Sequence, residues 1–196
     1  INVDTTDNVP GACTGIVPGF VYPTITFIDP DLNPEICDSE CGGLTEENDN
    51  CTGAVELTLA PDVYGNFSNV CSTSIDDPAI VPDCFADDDP YQATVWFTFT
   101  GNGGTYTINT LACNGSAEPQ LSDSQMAVYT GECAGTLTLL ACNDDNNGLM
   151  ASVEDFTTVA GQTYYLVVDG YENLRGEFCI EIIEITPPPV CDADFG

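Results

Sequence analysis

A chain that carries 32 Asp and Glu against a single basic residue, Arg175, cannot neutralise its own surface. Its net charge of −31 over 196 residues makes the compact state repel itself, so folding has to rest on covalent cross-links, bound cations or a saline medium. The chain supplies the first of these in 11 Cys. With no His, it offers no imidazole base, no Ser-His or Cys-His nucleophile and no His-ligated zinc. Carboxylate-only chemistry of the glycosidase kind needs a positioned pair, and no pair stands out among the acids, so the chain reads as no enzyme. Phosphate binding needs the Lys and Arg that are absent, which excludes nucleic acid as a partner. No run of about 18 apolar residues exists, which excludes membrane insertion by a helix.

Apolar residues still make up 43% of the chain, enough to build a core, so this is a folded protein rather than an acidic tail. The Cys spacing fits no zinc pattern, since Cys37 and Cys41 are the closest pair and no His completes them. The cysteines therefore read as disulfides formed in an oxidising compartment. Ile1 is not an initiator Met, and the expectation is a secreted chain from which a signal peptide has been removed.

Three regions differ in texture. Residues 1–45 hold Pro10, Pro18, Pro23, Pro30 and Pro34, the cysteines Cys13, Cys37 and Cys41, and one β-prone run from Phe20 to Ile28. This reads as an extended leader. From Ala54 onward, short segments rich in Val, Ile, Thr, Tyr and Phe alternate with turns rich in Gly, Asn and Asp. Strands are predicted at Val55–Leu59, Thr94–Thr100, Thr105–Leu111, Gln125–Thr130, Thr136–Ala141, Ser152–Thr157, Thr163–Asp169 and Glu177–Ile185, with a long insertion from Tyr64 to Pro90. No segment shows helical period. The fold class is therefore all-β, a two-sheet β-sandwich with jelly-roll-like connections over residues 46–186. Pro187, Pro188 and Pro189 then form a stiff spacer, and 187–196 ends as a tail carrying Cys191.

Strand geometry bears on the disulfides. An extended Thr136–Ala141 holds Cys133 and Cys142 too far apart for a local bridge. Hairpin geometry instead sets Cys142 beside the loop that contains Cys113. The expected bridges are Cys113 with Cys142, Cys51 with Cys179 joining first and last strands, and Cys71 with Cys84 closing the insertion.

From Glu47 to Glu181 the sequence resembles the bacterial pre-peptidase C-terminal domain family, which includes the collagen-binding modules of bacterial collagenases. The resemblance is carried in order by Glu47-Asn48-Asp49, Val95-Trp96-Phe97-Thr98-Phe99, Gln125-Met126-Ala127-Val128-Tyr129, Asn143-Asp144-Asp145, Ala160-Gly161-Gln162-Thr163-Tyr164-Tyr165 and Gly176-Glu177-Phe178-Cys179-Ile180. It implies a bacterial β-sandwich appended to secreted or surface proteins, one that binds or stabilises rather than catalyses. It also implies calcium, held by Glu47, Asn48 and Asp49 with Asp87, Asp88 and Asp89 from the acidic loop before Tyr91. Clustered carboxylates and an Asn carbonyl are suitable oxygen ligands for that ion, and without it they repel one another; the other reading is a solvated acidic turn. Asp144 and Asp145, followed by Asn146 and Asn147, form a second candidate cation site that lacks the glycine spacing and terminal Glu of an EF-hand, and a solvated turn competes with it too. Trp96, Tyr164, Tyr165 and Tyr171 are candidates to line a ligand surface, but Trp96 sits in an alternating strand and reads as core, which leaves Tyr171, in a Gly-Tyr-Glu-Asn turn, as the better surface candidate.

The function expected from these readings is a secreted, non-catalytic structural protein at the cell surface, stabilised by calcium, that assembles with copies of itself into a filament or adhesive layer. In this reading Phe20, Val21, Ile25, Phe27 and Ile28 add as a strand to a neighbour's open sheet edge, and Cys13, Cys37, Cys41 or Cys191 lock the junction. The alternative is a monomeric accessory module of a secreted protease or glycan-degrading enzyme, with a surface glycan or protein as ligand.

Overall fold

The alternation that marks the segment from Val95 to Thr100 sends Val95, Phe97 and Phe99 to one side and Trp96 to the other, and all four are almost wholly buried. A strand buried on both faces must lie in the middle of three layers. The computed structural model describes residues 47–75, 77–78, 82–85, 90–116 and 118–186. The leader 1–45, the acidic stretch Asp87 to Asp89 and the tail from Pro187 lie outside the described residues, and with them every leader and tail residue assigned to assembly above.

Nine strands form the described fold: β1 (Val55–Glu56), β2 (Asp62–Ser68), β3 (Val95–Thr100), β4 (Thr105–Leu111), β5 (Ser124–Gly131), β6 (Leu137–Asn143), β7 (Ser152–Thr157), β8 (Thr163–Gly170) and β9 (Glu177–Glu184). They make a five-stranded sheet in the order β1-β3-β8-β5-β6 and a four-stranded sheet in the order β2-β9-β4-β7. The fold is the all-β, two-sheet sandwich expected. Successive strands pass back and forth between the sheets except at the β5–β6 hairpin, and among the described residues no helix is long and apolar enough to cross a membrane.

The core between the sheets is built from the inward residues of every long strand. It includes Phe97 and Phe99 of β3, Ile108 of β4, Met126 and Val128 of β5, Leu166 of β8, and Phe178, Ile180 and Ile182 of β9. Tyr164 joins it, stacked on Phe99 with ring centroids 5.3 Å apart. At roughly 1.5–3 kcal/mol per buried large apolar side chain, this layer is the dominant favourable term for a chain whose surface repels itself.

A second core lies on the outer face of the five-stranded sheet, made by Trp96, Val167, Ala127 and Tyr129 from the sheet with Cys51, Phe85 and Tyr91 from the segments that cross over it. Phe85, Tyr91, Trp96 and Tyr129 form a chain of ring contacts, with centroids 5.8, 6.2 and 6.1 Å apart in turn. Two disulfides hold this cover on. Cys51 bridges to Cys133 at the tip of the β5–β6 hairpin, and Cys84 bridges to Cys142 on β6. Gly131 lets that hairpin close, with φ at +121° and Thr136 O set where a Cβ would collide with it.

Four of the sequence expectations need correction. The segment from Asp62 to Ser68 is a strand on the edge of the four-stranded sheet, where Tyr64 to Ser68 had been assigned to an insertion. Its inward residues Tyr64 and Phe67 are three apart because a bulge interrupts the register, so no period of two is visible. Cys113 pairs with Cys179 and not with Cys142, because Cys142 lies on β6 of the five-stranded sheet whereas Cys113 follows β4 of the other. Cys51 pairs with Cys133 and not with Cys179 for the same reason, and Cys84 is taken by Cys142, so the Cys71–Cys84 bridge does not form. Cys71 is itself disulfide-bonded.

Candidate functional site

The Glu47-Asn48-Asp49 segment enters the fold as a fastening. Asn48 donates its side-chain amide to Trp96 O at 3.0 Å, and its own carbonyl accepts from Trp96 N at 2.8 Å. The buried carboxylate of Asp49 accepts from both the backbone N and the hydroxyl of Thr73, while Glu47 is exposed. These side chains thus lash the entry segment and the loop around Thr73 to β3.

The same region holds two further acids, one buried and one half-buried. Asp169, 1% exposed at the end of β8, accepts from the backbone N of Gln92, Ala93 and Gly170 at 2.8 to 2.9 Å. Asp77 accepts from Trp96 Nε1 at 2.8 Å and from the Thr94 hydroxyl. Burial raises the Asp77 carboxyl from 3.8 to about 6, against the lowering effect of those two hydrogen bonds, with Asp169 and Asp49 adding repulsion. Arg175, the only basic side chain of the chain, donates to the carbonyls of Asn69, Val70 and Ser72 and to the Asn173 side chain. It therefore serves as a clamp on the loop after β2.

Trp96 is core, as expected from its strand, but in the second core. Tyr164 belongs to the inter-sheet core, Tyr165 packs against the second core, and Tyr171 is half-buried in a 3-10 turn.

At the same end of the five-stranded sheet, where Gln125 of β5 lies opposite Asp169 of β8, the antiparallel pairing of β5 with β6 sets Met126 opposite Asn143. That register carries the residue just before β5, Asp123, to the turn just after β6, where Asp144 and Asp145 stand. One carboxylate oxygen from each of the three lies within 4.8 Å of the others. The turn is shaped by Asn143, whose Oδ1 accepts from the backbone N of Asn146 and Ser152 at 3.1 and 2.9 Å. Asp123 is 9% exposed, and its Oδ1 is buried with no hydrogen-bond donor. Burial raises its carboxyl above the ordinary range, and the fields of Asp145, Asp144 and Glu172 push the same way. The sequence pointed to Asp144 and Asp145 but not to Asp123, which sits in a Ser-Asp-Ser stretch with no local signal.

Fold and geometry define a disulfide-stapled two-sheet β-sandwich with an acidic cluster at one end of its larger sheet. No protein-family model matches the chain, and no curated protein sequence matches it. Among solved structures, it is similar to the pre-peptidase C-terminal domain of a collagenase from Bacillus anthracis, at 16% identity and a TM-score of 0.39, over 66% of this chain and 94% of that one. That domain belongs to the family which the sequence motifs resemble.

Proposed function

We propose that the chain is a secreted, non-catalytic structural module that joins copies of itself through its leader. The observation that carries the structural part is the use to which withdrawn polar groups are put: buried Asn48, Asp49 and Asp169 and half-buried Arg175 each fasten a crossing segment to the sandwich. The Cys51–Cys133 and Cys84–Cys142 disulfides likewise hold segments that cross the five-stranded sheet, and with Cys113–Cys179 they support an oxidising, extracellular setting. Polymerisation is supported by a contrast of charge. The run Phe20 to Ile28 is uncharged in a chain of net charge −31, so it is where two copies can meet with least repulsion. Edge strands β2 and β7 of one sheet, and β1 and β6 of the other, are acceptors for such a segment.

Sedimentation of the full chain tests this reading. The expected result is a concentration-dependent series above the monomer, collapsing to monomer on deletion of residues 1–45. Because that deletion also removes cysteines, the double substitution Ile25→Asp and Phe27→Asp serves as a second probe that leaves them in place. A full chain that stays monomeric at high concentration overturns self-assembly in favour of a monomeric binding module.

A further inference from the structure

We propose that Asp123, Asp144 and Asp145 form a site for one divalent cation, with Ca²⁺ the best match to its ligand chemistry. An acidic cluster alone would say little, since exposed acids commonly repel one another in solvent. The separate observation is the buried Oδ1 of Asp123, which has no donor although the residue is 9% exposed and faces the other two carboxylates. An ionised oxygen withdrawn from water is strongly disfavoured unless a hydrogen bond or a cation completes it. No side-chain cation is left to do so, because the one basic residue, Arg175, is engaged with Asn69, Val70, Ser72 and Asn173.

The donor set narrows the ion. Carboxylate oxygens with no His favour hard cations over zinc or copper. Ligand oxygens held 2.3–2.6 Å from Ca²⁺ are at most about 5 Å apart, a limit that the 4.8 Å cluster meets without moving. Mg²⁺ needs a tighter octahedron, with opposite oxygens only about 4.2 Å apart. Asp145 is exposed, so the cluster faces solvent on one side, where water can fill the remaining positions. Binding would tie the turn after β6 to the start of β5, two residues from the Cys84–Cys142 bridge that holds the second core closed.

The test is calorimetric titration of the EDTA-stripped full chain with calcium chloride at about 0.15 M salt, where diffuse attraction to a polyanion is screened, with melting curves in calcium and in EDTA. One saturable site is expected. Asp123→Asn should weaken it at least tenfold, and so should the pair Asp144→Asn and Asp145→Asn. The two melting curves separate a ligand from a merely structural residue: in EDTA Asp123→Asn should melt above the parent, because repulsion is relieved, and in calcium below it. Absence of saturable binding, or parental affinity in both variants, overturns the proposal. So does loss of binding in the pair Glu47→Gln and Asp49→Asn with Asp123→Asn unaffected, which would place the ion at the entry segment.

Discussion

Replacing Asp77 by Asn removes a half-buried charge while keeping every hydrogen bond that the position makes. The carbonyl oxygen of the new amide can still accept from Trp96 Nε1, now 2.8 Å from the carboxylate, and its nitrogen can donate to the Thr94 hydroxyl. That hydroxyl then turns its proton to Thr73 O, already 3.2 Å away. What changes is the cost of ionisation. Burial lifts the folded carboxyl from 3.8 to about 6, so the folded protein holds this proton more tightly than the unfolded chain does. The stability contributed by the protonated group is complete below about pH 4 and is lost as pH rises through about 6. Roughly two pKa units correspond to about 3 kcal/mol, and partial exposure of Asp77 reduces this to about 2 kcal/mol. Asp77→Asn should therefore match the parent at pH 4 and exceed it by about 2 kcal/mol at pH 7, a rise in Tm of about 4 to 8 °C. Urea unfolding in EDTA across that range measures the difference, with Trp96, the single tryptophan, as the fluorescent reporter. A variant less stable than the parent at pH 7, or a difference that does not change with pH, would refute the reasoning, because it would mean that the ionised carboxylate is wanted in place.

Peptide mapping without reduction should recover Cys51–Cys133, Cys84–Cys142 and Cys113–Cys179 linkages, and a Cys113–Cys142 peptide would contradict the sheet assignment. Converting both Cys113 and Cys179 to Ala opens a loop of 66 residues and should lower stability by up to about 4 kcal/mol, read as a fall in the urea midpoint. Arg175→Met takes from the carbonyls of Val70 and Ser72 the donor they share, while that of Asn69 keeps Ser72 N, which should cost about 2 to 3 kcal/mol and quicken proteolysis of the loop after β2. Gly131→Ala, which drives a Cβ onto Thr136 O at positive φ, should destabilise the β5–β6 hairpin and lower Tm; an unchanged Tm would mean that the turn has another conformation.

Eight of the strands were legible as short runs rich in Val, Ile, Thr, Tyr and Phe set between turn-rich stretches, with alternation plainest in Thr105 to Leu111. β2 was not, since Asp62, Gly65, Asn66 and Ser68 read as turn residues and a bulge sets its two inward aromatics out of period. Gly65 has a reason that lies outside its own strand: the Cys113–Cys179 bridge crosses over it, with Cys179 Sγ occupying the space that a Cβ would need. The cation cluster was half legible. Asp144 and Asp145 are adjacent in a turn, whereas Asp123 joins them only through the pairing of β5 with β6.

What the sequence by itself determined is local and compositional: period-two segments that must be strands, an apolar fraction that must form a core, and a charge that must be offset by cross-links or cations. Only the tertiary structure decided which strands share a sheet, and that choice controls everything non-local. It set Cys113 against Cys179 and Cys51 against Cys133, and it made the outer face of β3 into a second core. Alternation tells each residue which side of its own strand it takes; it carries no information about the neighbour that waits on that side, because the neighbour is chosen by the packing of the whole chain.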